Sequence, residues 1–131
     1  MFDRIFGEVV YDYGWCKPET IELFNKSYQI TCVASAYKNE MISREQRAQY
    51  KNFNEHKNDI LMCVEECLTK YVQSNHPDYF DTLKDCIVPK ELIINQDGKS
   101  GIMFDCEWDV ETGVIVGISS QIEVINPDCF L

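Results

Sequence analysis

Basic residues are scarce in this sequence, and the final quarter has none. The 131 residues include 12 Lys and Arg against 22 Asp and Glu, which gives a net charge of −10 at pH 7. Residues 100–131 carry six acids and no Lys or Arg. Because nucleic acids and anionic lipids are bound through basic surfaces, this composition argues against both as partners. This concentration of negative charge has two interpretations. It favours a basic protein partner, or it is only a solvated surface that keeps the protein soluble.

Long apolar runs are also missing. No run approaches the roughly 20 residues that a membrane span needs, and residues 1–10 lack the apolar core of a signal peptide. The seven cysteines are odd in number and irregularly spaced. We therefore expect reduced thiols and a cytoplasmic protein. The hydrophobic fraction of 45% over 131 residues is enough for one packed domain, residues 1–131.

One long helix is predicted over residues 43–73, because its second half carries apolar residues at helical spacing. Ser43 is a plausible N-cap, and Gln46 three residues later completes a capping box. No Pro or Gly interrupts the run before residue 75, and Pro77 prevents continuation. The polar first half makes residues 52–54 the place where a break would fall.

Three strands are predicted before this helix and four after it. The predicted strands cover residues 6–15, 20–24, 27–37, 91–95, 101–108, 114–118 and 121–125. Asp97-Gly98 is a strong hairpin signal, and Gly113 ends a second turn. Since hairpins account for most connections, no parallel crossover is required. The predicted fold class is α+β, with antiparallel sheet and the helix packed on a sheet face; Phe130 and Leu131 form an apolar tail.

The strand at residues 101–108 carries the sharpest pattern. Alternation turns Ile102, Phe104, Cys106 and Trp108 to one side and Met103, Asp105, Glu107 and Asp109 to the other. The three carboxylates of Asp105, Glu107 and Asp109 are the candidate partner-binding residues, suited to a basic helix or to Lys and Arg side chains. Two alternatives remain open: a charged face that only prevents aggregation, and a weak site for a hard cation. The match to an EF-hand calcium loop is poor, because Val110 occupies the position that requires glycine, and strand alternation fits the segment better.

Catalytic and metal-binding signals are weak. Cys63, Cys67 and His56 could in principle bind zinc, but no second ligand pair completes a site, and the helical stripe explains both cysteines as core residues. His56 and His76 are the two candidate bases, and neither lies in a recognisable motif. No cofactor, metal or catalytic residue is therefore predicted. The alternative to a binding domain is a small enzyme or ligand-binding module with a pocket between sheet and helix.

The sequence also resembles a known family. The resemblance is carried by Phe-Gly-Glu-Val-Val-Tyr-Asp-Tyr-Gly-Trp at residues 6–15, Gly-Ile-Met-Phe-Asp-Cys-Glu-Trp-Asp at residues 101–109 with Gly113 following, Ile-Ser-Arg-Glu-Gln at residues 42–46, and the final Phe-Leu. These segments are similar to a family of small bacterial domains of unknown function, with relatives among presumed immunity proteins of polymorphic-toxin systems. The resemblance brings no catalytic residues with it. An acidic, cytosolic, single-domain chain suits a non-enzymatic inhibitor of a basic toxin domain, such as a nuclease.

Overall fold

A twisted sheet organises the protein. The structure is a computed structural model that describes residues 1–125 and Phe130. In these residues seven strands, β3 to β9, lie side by side in chain order, and β1 and β2 pair separately. The strands are β1 Phe2–Asp3, β2 Gly7–Glu8, β3 Val10–Tyr11, β4 Trp15–Leu23, β5 Lys26–Ala34, β6 Ile87–Ile94, β7 Ser100–Cys106, β8 Asp109–Gly117 and β9 Glu123–Ile125.

The sheet is antiparallel except at its centre, where β5 and β6 run parallel. Their register joins Thr31 to Glu91 and Ala34 to Ile94, and the helices form the crossover between them. The expectation that no crossover is required is therefore wrong. A parallel pair in the middle of a sheet is covered on both faces, so its residues form an unbroken apolar run rather than an alternating one. Leu92, Ile93 and Ile94 are all buried and are such a run.

Two long helices stand where one was predicted. They are α1 Arg44–Glu55 and α2 Lys57–Asn75, and they meet at His56, whose φ of −120° and ψ of 24° are not helical. The break falls two residues beyond the polar stretch where it was expected. A 3₁₀ turn Pro77–Tyr79 and a short helix α3 Leu83–Cys86 then lead into β6.

The start of α1 is fixed as the sequence predicts. Ser43 Oγ accepts from Gln46 N at 3.1 Å, and Gln46 Oε1 accepts from Ser43 N at 2.9 Å, which is a complete capping box. The same Gln46 side chain donates through Nε2 to Ser35 O and to Ile94 O, each at 2.9 Å. This buried amide therefore ties the first turn of α1 to the ends of both parallel strands.

The main core lies between the helices and one face of the sheet. Phe53, Val64, Leu68 and Val72 from the helices pack with buried side chains of the strands, such as Leu92. The opposite face carries a smaller cluster of Ile93, Ile115 and Phe130. The predicted packing of helix on sheet and the α+β class are confirmed. Of the predicted apolar tail, Phe130 is buried and Leu131 lies outside the described residues.

The strand predicted over residues 6–15 is wrong in its extent. The chain forms β2 and β3 there, separated at Val9, which is buried in the core. Among the described residues, none of the helices is both long and apolar enough to cross a membrane.

Asp3 anchors the first residues of the chain to α1. Its Oδ1 accepts from Arg47 Nε at 2.8 Å and lies 2.7 Å from Arg47 Nη2, while its Oδ2 accepts from the N–H groups of Ile5 and Phe6 at 3.0 Å each. Burial opposes ionisation of this carboxyl. The Arg47 guanidinium and the two backbone donors outweigh that effect, so the pKa of Asp3 is lowered.

Candidate functional site

The three predicted partner-binding carboxylates surround the turn between β7 and β8. Strand β7 ends at Cys106, Glu107 and Trp108 form the turn, and Asp109 opens β8 opposite Cys106. Asp105, Glu107 and Asp109 are all exposed. We call these three residues the acidic turn. They do not form one row along a strand, as the alternation predicted, because the chain reverses after Cys106.

The inward half of the predicted pattern is confirmed. Ile102, Phe104 and Cys106 are buried on the core side of β7. Trp108 is half-buried, and its ring lies 5.2 Å from the His76 ring at an interplanar angle of 21°. The Glu107 N–H donates to Cys86 O at 3.0 Å. These contacts fix the turn against the end of α2 and against α3.

A bulge in β8 follows the turn. Phe104 pairs with Val114 and Cys106 pairs with Asp109, so residues 110–113 of β8 stand opposite Asp105 alone. The Asp109 side chain accepts from Thr112 N at 3.1 Å, and Gly113 has a φ of +71°. A Cβ at Gly113 would lie 2.3 Å from Phe104 O, so only glycine fits.

The acidic turn is open to solvent and carries one weak internal ion pair among the described residues. Lys90 Nζ lies 3.7 Å from Asp105 Oδ2, and both side chains are more than half exposed. Such surface pairs contribute about 0–1 kcal/mol. Two exposed valines are near these residues in the chain or the sheet: Val110, which is 81% exposed, follows Asp109 in the sequence, and Val88 pairs with Asp105 across β6 and β7. The carboxylates remain available to a partner, and the valines add apolar contact area.

The pocket expected between sheet and helix corresponds to a groove between α2 and β9. Its volume is about 590 Å³, and the residues that line it include Cys63, Cys67, Tyr71, Ile122 and Val124. Burial raises the pKa of the Cys67 thiol, which therefore stays protonated at neutral pH. The two histidines proposed as bases are not among the lining residues. Glu66, Lys70 and Glu123 also line the groove, so charged side chains lie along it together with the two thiols.

The three residues considered as zinc ligands do not form a metal-binding group. Cys63 is exposed on α2, Cys67 is half-buried one turn later, and His56 lies at the junction of the two helices. In residues 1–125 and Phe130, no group of three or more His, Cys, Asp or Glu side chains could hold a metal ion.

A second pocket was missed by the sequence analysis. It measures about 400 Å³ and lies where the two parallel strands end, between Tyr11, Tyr13, Tyr37 and Glu40. Tyr13 donates its hydroxyl to the Glu91 carboxylate; partial burial and that neighbouring carboxylate raise the pKa of Tyr13. The lining residues run from Tyr11 to Gln96, 85 positions apart in the sequence, so no local pattern could bring them together. The one signal in the sequence is the excess of tyrosine beside acids near residues 11–13 and 37–40.

Comparisons with known proteins give one result. No curated protein and no solved structure matches the chain. One family model, described as a domain of unknown function (DUF6985), matches residues 5–125, which include all the long strands, both long helices and the acidic turn. The chain therefore belongs to the DUF6985 family.

Proposed function

We propose that the protein is a non-enzymatic protein-binding domain, an immunity-type inhibitor that docks a basic partner, such as a toxin domain, through the acidic turn. The carrying observation is the arrangement of Asp105, Glu107 and Asp109. Their carboxylates are exposed around one fixed turn in a segment that lacks any Lys or Arg between residues 100 and 131. A complementary basic surface would meet a net negative field there, since Lys90 pairs with Asp105 alone of the three carboxylates.

The rigidity of the turn supports this role. Trp108 stacks on His76, and the bulge is closed by the Asp109–Thr112 hydrogen bond and by Gly113. A fixed set of charges loses little conformational entropy when it binds, so more of the interaction energy remains as affinity. The exposed Val110 beside the carboxylates supplies the apolar contact that a purely charged patch lacks.

The proposal includes a bacterial, cytoplasmic setting. The six cysteines in the described residues are free thiols, which suits a reducing compartment. The resemblance to presumed immunity proteins supports the inhibitor role, since an inhibitor kept in the cytoplasm would protect the cell from a basic toxin domain.

The test compares two triple variants of equal charge. Asp105→Asn, Glu107→Gln and Asp109→Asn remove the acidic turn and change the net charge from −10 to −7. The control variant, Asp59→Asn, Glu22→Gln and Asp81→Asn, neutralises the same residue types at other exposed positions, which make no ion pair in the described residues. The protein is captured from cells that produce it, and the bound partner is identified, purified and titrated by calorimetry at low and high ionic strength.

The wild type and the control should bind a basic partner with an affinity that falls as salt rises. Exposed ion pairs contribute about 0.2–1 kcal/mol each, so the loss of three should weaken binding roughly 3- to 150-fold and flatten the salt dependence. Coexpression should protect cells from the partner with the wild type and the control, and less well with the turn variant. An acidic or neutral partner, bound equally by all three proteins, would overturn the proposal.

A ligand-binding module is the second candidate, and the groove between α2 and β9 favours it. Its volume of about 590 Å³ lies within the range of small-molecule sites. Protein NMR with a library of small ligands is the test: binding at this groove should shift the amides of Tyr71 and Val124. A Cys67→Trp substitution, which fills the groove, should abolish those shifts; shifts that survive it would place the ligand elsewhere.

A further inference from the structure

We propose that the tyrosine pocket, formed by Tyr11, Tyr13, Tyr37 and Glu40, binds the guanidinium group of an arginine side chain presented by a protein or peptide. This proposal rests on the proposed function in one respect: the protein that presents the arginine is expected to be the basic partner proposed above. The pocket itself is a separate site and can be tested without the natural partner.

The pocket lies at the carboxyl ends of the two parallel strands. Strands β5 and β6 are parallel and end together at Ala34 and Ile94, and the residues that follow, Ser35 and Asn95, line the pocket. Ligands of open sheets with parallel strands bind outside the carboxyl ends of those strands, because the connecting segments diverge there and leave a crevice.

The aromatic side chains of the pocket are unusually accessible. Tyr37 is 82% exposed and Tyr13 is 56% exposed. Large aromatic rings in water are characteristic of contact sites, where they supply rigid area at small entropic cost. A guanidinium group is planar and weakly hydrated, so it stacks on such rings better than an ammonium group does.

The charge around the rings is negative. Glu40 lines the pocket, and Glu91 accepts the hydroxyl of Tyr13. Within the described part of the chain, no Lys or Arg is among the lining residues. The Glu40 carboxylate accepts from Tyr37 N at 2.7 Å through Oε1, and its second oxygen remains for a cation. Aromatic faces next to a carboxylate are complementary to arginine, which offers both a flat face and a fork of N–H donors.

The floor of the pocket is fixed before any ligand arrives. Tyr11 donates its hydroxyl to Ala36 O at 3.0 Å, and Gln96 Nε2 donates to Ser35 O at 3.0 Å. The loop that carries Tyr13 packs closely against β5 at Gly14. A Cβ at this position would lie only 2.9 Å from Ala34 O. A preformed floor reduces the ordering cost of binding. Trp15 donates to Glu40 O at 2.9 Å, so its fluorescence reports on the site.

The experiment uses blocked tripeptides as probes: Gly-Arg-Gly, Gly-Lys-Gly and the uncharged analogue Gly-citrulline-Gly. Each is titrated into the full chain, with the amide NMR signals of Ser35, Ala36 and Asn95 as the readout. The arginine probe should shift these signals to saturation. The citrulline probe should bind at least about ten-fold more weakly because it lacks the charge, and the lysine probe should be weakened about three- to ten-fold because it cannot stack.

Variants then test the residues. Glu40→Gln keeps an oxygen for Tyr37 N and should weaken the arginine probe about ten-fold. Tyr37→Ala removes an exposed ring at little cost to folding and should weaken it about three- to ten-fold. Glu22→Gln neutralises an exposed acid on β4 outside the pocket and should change nothing. Equal binding of the arginine and citrulline probes, or full binding to Glu40→Gln, would overturn the proposal.

The acidic turn provides the remaining control. The variant Asp105→Asn, Glu107→Gln and Asp109→Asn should bind the arginine probe as the wild type does. If that variant loses the probe, or if the shifts appear at the turn alone, the pocket is not the site. A protein partner that binds independently of the acidic turn would count against the proposed function and leave the tripeptide result standing.

Discussion

Replacing Asp3 by alanine removes the side chain that connects the first residues of the chain to α1. The carboxylate is 2% exposed, pairs with Arg47 at 2.7 Å and accepts from two backbone N–H groups at 3.0 Å. Removing one partner of a buried ion pair costs about 3–5 kcal/mol. Because the Arg47 side chain is 25% exposed and water can solvate its guanidinium, the lower end applies. We expect the free energy of unfolding to fall by about 3 kcal/mol.

Urea denaturation followed by circular dichroism measures this loss. With a denaturant slope of about 2 kcal/mol per molar, the midpoint should fall by roughly 1.5 M. Glu8→Gln is the control on the same segment, because Glu8 is exposed and makes only a surface pair with the N-terminus at 3.3 Å. Its effect should stay within about 0.5 kcal/mol.

The pH dependence separates the charge from the shape of the side chain. The native pKa of Asp3 is lowered, so the ionised form stabilises the folded state. That stabilisation is fully present above the ordinary aspartate pKa of about 3.9 and is lost as the pH falls through the lower native pKa. The stability difference between the wild type and Asp3→Asn should therefore shrink below about pH 4. The reasoning would be refuted if the free energies of unfolding of the wild type and Asp3→Asn differed by less than about 1 kcal/mol at pH 7, or if their difference did not change with pH.

Three further predictions concern single side chains. Gln46→Ala should lower the free energy of unfolding by about 2–4 kcal/mol in urea titrations, since it removes the capping box and one of the two donors to each of Ser35 O and Ile94 O. Gly113→Ala should lower the free energy of unfolding by more than about 2 kcal/mol, because Gly113 has a φ of +71°. Gly117→Ala is its control and should lower it by less than about 1 kcal/mol in the same assay, because the added Cβ would meet no atom nearer than 3.5 Å. Iodoacetamide labelling, followed by mass spectrometry, should modify the exposed Cys63 in the native protein and Cys32 only after denaturation. Burial raises the pKa of Cys32 and blocks access of the reagent to it. Labelling of Cys32 in the native protein as fast as that of Cys63 would contradict this.

Local signals in the sequence predicted the local features of the fold. Ser43 and Gln46 form the capping box that their spacing indicates, and Gly98 and Gly113 both have positive φ where turns were expected. These features depend on a few adjacent residues, so a short window contains the whole cause. The break at His56 was placed only approximately, because a polar stretch weakens a helix without fixing the residue at which it ends.

The parallel pairing could not be predicted from hairpin signals, because it joins residues 60 positions apart, such as Thr31 and Glu91. The available signal was the loss of alternation at Leu92, Ile93 and Ile94, which indicates a strand covered on both faces. The carboxylates of the acidic turn could be identified from sequence because exposed acids follow from alternation. Their arrangement around a reversal could not, since the chain turns at Glu107 and Trp108 without the Gly or Pro that usually marks a turn.

Strand β6 connects the two proposed contact sites. Its first residue, Ile87, pairs with Cys106 at the acidic turn, and its last residue, Ile94, precedes Asn95, which lines the tyrosine pocket. Ile87 and Ile94 are seven positions apart on a strand that rises about 3.3 Å per residue, so the two sites are roughly 23 Å apart. A standard interface covers about 800 Å² on each partner, which corresponds to a disc roughly 32 Å across. One basic partner whose surface follows β6 is therefore wide enough to contact both ends, with an arginine anchored among the tyrosines and further basic side chains at Asp105, Glu107 and Asp109. In that arrangement the pocket supplies orientation and the turn supplies long-range attraction, because a stacked guanidinium is directional and an exposed charge is not.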